Sequence, residues 1–246
     1  MLTLTILWVP FVQGALAQDL TGITSLALAE CLATPAAVLP ASAWSFQARP
    51  AAFGHVGLSD GAVCFQLPDL PVLSALQGTA GAEWTDLHLV LQHRWMITDA
   101  FMLGTMTDAS WAGARGFASN IGVDLTVHAR LLLDPTWSVV CGLDRLLQLH
   151  TRFQPPSQAL RLGASWEGAV AVSAQLSVSA EHGASSALQV AGPLTDALDA
   201  RGSFTSAPLT IAAAGRLHTT SLPPMTMELR WVADLGLQTS LMVDLP

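Results

Sequence analysis

No lysine and no tyrosine occur among the 246 residues, and Asn120 is the only asparagine. All three residue types have A/T-rich codons, so a GC-rich coding sequence is the simplest common cause. The missing tyrosine therefore says nothing about chemistry, and aromatic roles fall to eight Trp and eight Phe. Charge is scarce too. Charged residues make up 11% of the chain, against about 25% in a usual soluble domain. The ten basic residues, all Arg, are outnumbered by eighteen acidic ones, for a net charge of −8. That excludes the basic patch of a nucleic-acid binder. The apolar fraction of 51% excludes a disordered chain. A mean hydropathy of +0.47 points to a membrane or to an unusually apolar domain.

Long hydrophobic runs are missing as well. Residues 1–17 read as a secretory signal, with an apolar stretch over Leu2–Val12 and an Ala15-Leu16-Ala17 cleavage signature. Beyond it, no segment is apolar enough for a spanning helix. The nearest, Ile23–Trp44, is broken by Glu30, Pro35 and Pro40. Cys31, Cys64 and Cys141 are three, an odd number, and none sits in a C-x-x-C pair. They read as small apolar filler.

What is present is period-2 alternation. Ile121, Val123, Leu125, Val127, Ala129, Leu131 and Leu133 share one face, and Gly122, Asp124, Thr126, His128 and Arg130 the other. This exceeds the ~5–6 residues of a soluble strand and matches the ~9–11 that cross a bilayer at a tilt. Asp134-Pro135-Thr136 is a turn, and alternation resumes at Trp137. It recurs around Leu87–Leu91, Val170–Ala180, Leu209–Leu217, Met225–Trp231 and Leu237–Leu245. The stretches 107–120, 150–159, 192–208 and 219–224 read as loops.

The pattern predicts an all-β fold: an antiparallel up-and-down transmembrane β-barrel of roughly ten to twelve strands, because a sheet in lipid cannot leave open edges. The expected organisation is a signal peptide over 1–17, an N-terminal segment over 18–42 and the barrel over 43–246. Trp84, Trp95, Trp137 and Trp166 lie near strand ends, where interfacial aromatics belong. A soluble exported β-sandwich also alternates. It would carry many outward charges, whereas the polar positions here are mostly Ser, Thr, Gly and Gln.

Residues 48–60 read ARPAAFGHVGLSD. Ala48, Arg49, Phe53-Gly54 and Val56-Gly57-Leu58 resemble the N-terminal signature of outer-membrane barrels related to the type IX secretion shuttle and, more distantly, to long-chain fatty-acid transporters. The family's Asn-Pro-Ala element is reduced to the Pro of Leu67-Pro68-Asp69. The resemblance implies a reduced member of that superfamily, with secretion-linked or apolar-ligand transport roles.

Catalytic and metal motifs are missing. There is no Gly-x-Ser-x-Gly, no His-Glu-x-x-His and no phosphate loop. His218 with Ser221, and His182 with Ser185, are ordinary neighbours in a Ser-rich chain. The candidate functional residues are the inward polar row: Asp124, His128, Arg130, Asp144, Arg216, Glu228 and Arg230, with Arg161 and Glu167 beside them. Mixed signs suggest charges that satisfy one another; the neighbours of Asp124 and Arg130 should be the charges of the adjoining strands, chiefly Asp144. The expectation is a non-enzymatic barrel of a Gram-negative outer membrane, without cofactor or metal. Its partners would be outer-membrane lipid and other envelope proteins, not nucleic acid. Its expected role is that of a structural or accessory component of an envelope or secretion assembly. The first alternative is a passive carrier of an apolar ligand, and the second a soluble binding module.

Overall fold

The computed structural model describes residues 44–49, 59–66, 72–151, 158–180, 183–219, 221–233 and 236–245. The expected signal peptide, the segment over 18–42, Cys31, His55 and His182 lie outside these residues. Fourteen strands follow one another: β1 (Trp44–Arg49), β2 (Ser59–Gln66), β3 (Val72–Ala80), β4 (Trp84–Thr98), β5 (Phe101–Ala114), β6 (Asn120–Leu132) and β7 (Trp137–His150), then β8 (Ala159–Glu167), β9 (Ala171–Ser179), β10 (Gly183–Thr195), β11 (Leu198–Ser206), β12 (Leu209–Leu217), β13 (Met225–Val232) and β14 (Gly236–Leu245).

Each strand pairs antiparallel with its neighbours in sequence, and β1 closes the ring on β14, with Trp44 opposite Leu245. The single closed sheet excludes the two-sheet sandwich. Carried once round the barrel, the registers return to β1 displaced by roughly 14–16 residues, the stagger that strand tilts of about 35–45° require.

The strand count corrects the expected ten to twelve, and two expected loops are strands. Residues 107–120 hold the second half of β5, and 192–208 the end of β10 and all of β11. Both were hidden by their composition. In β5, Thr105 and Thr107 point outward while Met106 points inward, and β11 contains Asp199-Ala200-Arg201-Gly202-Ser203, which has the composition of a turn.

Parity sorts the side chains. All fourteen strands place at least one exposed large apolar residue on the outer face, such as Phe46, Leu76, Leu89, Leu162, Ile211 and Leu241. The inner face is polar and buried. A water-soluble protein would not leave so continuous an apolar surface bare, whereas a bilayer covers it.

Both barrel termini lie at one rim, here the terminal rim. Trp44, Trp95, Trp137 and Trp166 stand near it, with Trp137 and Trp166 directly opposite each other on β7 and β8. Trp84, Trp111 and Trp231 stand near the opposite rim. The sequence reading missed Trp44, Trp111 and Trp231, two of them on strands it did not recognise.

The β6–β7 turn shows how local chemistry fixes the ends. Asp134 Oδ1 accepts from the Thr136 amide at 2.7 Å, from its hydroxyl at 2.8 Å and from the Trp137 amide at 2.8 Å. These donors, the Thr136 amide first, hold the carboxyl below its ordinary 3.8. A depressed carboxyl stabilises the turn above its unfolded pKa, and the contribution is lost as pH falls through the folded value. At the opposite rim, Gly183 and Gly236 open β10 and β14 with φ of 68° and 85°, values that a side chain would disfavour.

Candidate functional site

The inner wall gathers the charge of the chain. Arg49, Arg94, Arg130, Arg145, Arg201, Arg216 and Arg230 are buried on it, and Arg161 is half-buried. An ion in so enclosed a wall needs a partner, and the strand register supplies one.

On β6–β8, His128 Nε2 lies 2.9 Å from Asp144 Oδ1, and the other oxygen of Asp144 accepts from Arg161 Nε. Asp124 holds His150 at 2.8 Å and Arg145 at 3.6 Å. Arg130 reaches Glu167 at 3.3 Å and Ser138 at 3.2 Å. On β4–β5, His88 Nδ1 lies 2.9 Å from Asp108 and its Nε2 3.1 Å from Asp86. With both carboxylates ionised, only the doubly protonated ring satisfies both contacts. On β11–β14, Glu228 accepts from Arg201 at 2.8 Å and forms an ion pair with Arg230 at 2.7 Å, and Asp244 forms one with Arg216 at 2.7 Å. Asp199 holds His218 at 2.6 Å.

The expected row of Asp124, His128, Arg130, Asp144, Arg216, Glu228 and Arg230 thus lies on the inner face, but it divides among several clusters. Asp124 and Arg130 are six residues apart on β6, about 20 Å along the strand, and bind different partners. Asp144, the neighbour expected for them, holds His128 and Arg161 instead. Sequence reading missed Arg49, Arg94, Arg145 and Arg201. Arg145 was hidden by a bulge: Leu125 pairs with Leu147 but Val127 with Leu143, so two steps on β6 span four on β7. Asp144 and Arg145 consequently both turn inward, with Arg145 at φ 52° and its amide donating to Thr126 Oγ1 at 3.1 Å.

Small residues make these reaches possible. Arg201 crosses Ala214 to meet Glu228, the three standing in register on β11, β12 and β13. His128 faces Gly104 on one side and Gly142 on the other. A Cβ on Gly142 would sit 2.1 Å from His128 Cδ2 and 2.7 Å from its Cγ. The ring is 0% exposed and tied to Asp144, so it cannot withdraw. Gly142→Ala is expected to cost about 1–3 kcal/mol by overpacking. Gly202→Ala, whose Cβ would meet nothing within 4 Å, is expected to be close to neutral. Reversible unfolding of both variants in lipid checks this, and equal losses would overturn the packing assignment.

The residues of the resembling motif bracket the β1–β2 hairpin. Ala48 and Arg49 end β1, Ser59 and Asp60 begin β2, and 50–58 lie outside the described residues. Arg49 and Asp60 pair in register and through a 3.1 Å ion pair. Cys64 is buried and Cys141 exposed. Among the described residues no group of three or more His, Cys, Asp or Glu is arranged to hold a metal ion.

No known family matches the sequence, and no curated protein matches it. Solved structures do resemble its fold. The toluene transporter TodX of Pseudomonas putida superposes with a TM-score of 0.58 at 10% identity, covering 93% of this chain and 97% of the other. The likeness is in the closed barrel itself. The toluene transporter TbuX of Ralstonia pickettii gives a TM-score of 0.56 at 10% identity, with 91% and 95% covered. The Acinetobacter baumannii outer membrane protein Omp33 gives 0.54 at 8% identity, with 83% and 97% covered. At these identities the likeness is one of architecture, so the chemistry of the lumen must be read from this chain's own residues.

Proposed function

We propose that this protein is a non-enzymatic barrel of the outer membrane that passes small molecules passively across it. The observation that carries the reading is the combination of two faces on one closed sheet. An apolar band covers the outside of all fourteen strands, and buried ion pairs inside leave the wall's charge largely cancelled. A lipid-embedded wall with a polar interior is what a passive path requires. The architectural likeness to transporters and channels supports transport over a purely structural role in an envelope assembly. The apolar-ligand role implied by the long-chain fatty-acid transporter resemblance is one form of the same proposal. The tryptophans near the two rims are proposed to sit at the lipid headgroups.

The test is reconstitution of the full chain into phosphatidylcholine liposomes and measurement of osmotic swelling in ribose. Faster swelling than in protein-free liposomes is expected. A folded, inserted barrel that passes no solute tested would overturn transport and favour the structural role.

A further inference from the structure

We infer that the passage runs between two uncharged arcs of the wall and takes small, uncharged, hydrogen-bonding solutes; this rests on the channel reading above and adds its specificity. In a ring of fourteen strands each strand faces the one seven places on, so β2 and β3 face β9 and β10. The ion pairs occupy β4–β8 on one flank and β11–β14 on the other. Between the flanks, the inward positions of β9 and β10 carry Ser, Gln, Ala and Gly, with no ionisable group from Ala171 to Ser179 or from Gly183 to Thr195. Opposite them, β3 has no ionisable residue, and β1–β2 hold one pair, Arg49 with Asp60, at the far margin.

These arcs also carry hydrogen-bonding groups with nothing to bind. Ser45 Oγ, Gln66 Oε1 and Gln77 Oε1 on β1–β3, and Gln175 Oε1 on β9, are buried atoms without a partner. Ser45 is 0% and Gln77 4% exposed. A buried amide or hydroxyl left unpaired is costly, and native structures keep few of them. Such atoms occur on the flanks as well, Gln238 Nε2 and Ser240 Oγ on β14 among them, but on the arcs each one is a neutral amide or hydroxyl oxygen. Small side-chain movements that open them to the lumen let a visiting hydroxyl or amide satisfy them. Apart from the marginal Arg49–Asp60 pair, an ion meets no ionised group within these arcs, and the carboxylates of both flanks are already engaged by arginine and histidine.

The experiment compares ribose with ribonate, its carboxylate counterpart of similar size, in liposomes bearing the full chain. Ribose is expected to pass more than about tenfold faster, since an unpaired charge costs far more than a hydroxyl in such a passage. Gln77→Leu and Gln175→Leu are each expected to slow ribose about fivefold, the equivalent of one ordinary hydrogen bond. Heat-modifiable gel mobility establishes that each variant is folded. The isosteric Gln77→Glu keeps the shape of the side chain and is expected to turn weakly selective KCl conductance in planar bilayers into cation-selective conductance. Ribonate crossing as fast as ribose would overturn the uncharged path while leaving the channel intact. So would folded Leu variants with full ribose rates, or passage of an apolar aromatic but not of ribose. Failure of the wild-type chain to pass any solute would remove the channel reading itself.

Discussion

Glu228→Ala is expected to destabilise the barrel by about 3–5 kcal/mol, or to prevent its insertion. The carboxylate stands between Arg201 and Arg230 at 2.8 and 2.7 Å, and both its side chain and theirs are 5% exposed. Arg201 on β11 thus reaches this carboxylate across Ala214 of β12, while Arg230 shares its strand, β13. Removing the carboxylate brings two like charges together in an enclosed wall. The loss therefore exceeds the worth of the pairs themselves, because the arginines cannot return to water without unfolding. Arg230→Met in the Glu228→Ala background is expected to restore part of the stability, since it removes one of the stranded charges. A double-mutant cycle on these two residues, read by reversible unfolding in lipid, gives the coupling. Strictly additive losses would show that Glu228 acts through packing and not through charge.

The strand pattern was most legible where it was purest. β6 alternates without a break from Asn120 to Leu131, and its faces could be assigned from the sequence alone. β5 could not be found that way, because small and weakly polar residues such as Thr105, Thr107 and Ala109 tolerate lipid while Met106 tolerates the lumen. Parity therefore reveals which charges point inward only on strands already recognised, which is why Glu228 and Arg230 were identified and Arg201 was not. The partners are a different matter. Whether Asp124 meets His150 or Arg130 depends on register, and register depends on turn lengths and on the bulge at Asp144 and Arg145. Those are properties of two strands together and leave little trace in either one. The His–Asp contacts illustrate this. His128 with Asp144 and His150 with Asp124 are diagonal neighbours across β6 and β7, each ring lying over a glycine, Gly142 or Gly122. The glycines are visible in the sequence, but their service as notches for imidazole rings is not.

Val127→Arg and Leu188→Arg are expected to cost about 2–4 kcal/mol each, the penalty for a cation placed on the lipid face near mid-bilayer. Val127 lies midway along β6 with its side chain outward, and Leu188 is 47% exposed on β10. The comparison needs an inward position of similar height. Thr126 does not serve, although it adjoins Val127 and points inward. It is 2% exposed, and its hydroxyl accepts the Arg145 amide that anchors the β7 bulge, so Thr126→Arg would break a contact and crowd the wall. Ala187 serves better. It precedes Leu188 on the same strand, faces Gln175 and Thr205 across its two ladders and is half-buried on the uncharged arc. Ala187→Arg is expected to cost distinctly less than Leu188→Arg, since its guanidinium meets amides and hydroxyls in place of acyl chains. Reversible folding into lipid measures both. Equal penalties at these adjacent positions would mean that both faces of β10 are equally apolar in their surroundings, and a lipid-facing wall around a polar interior would no longer describe the molecule.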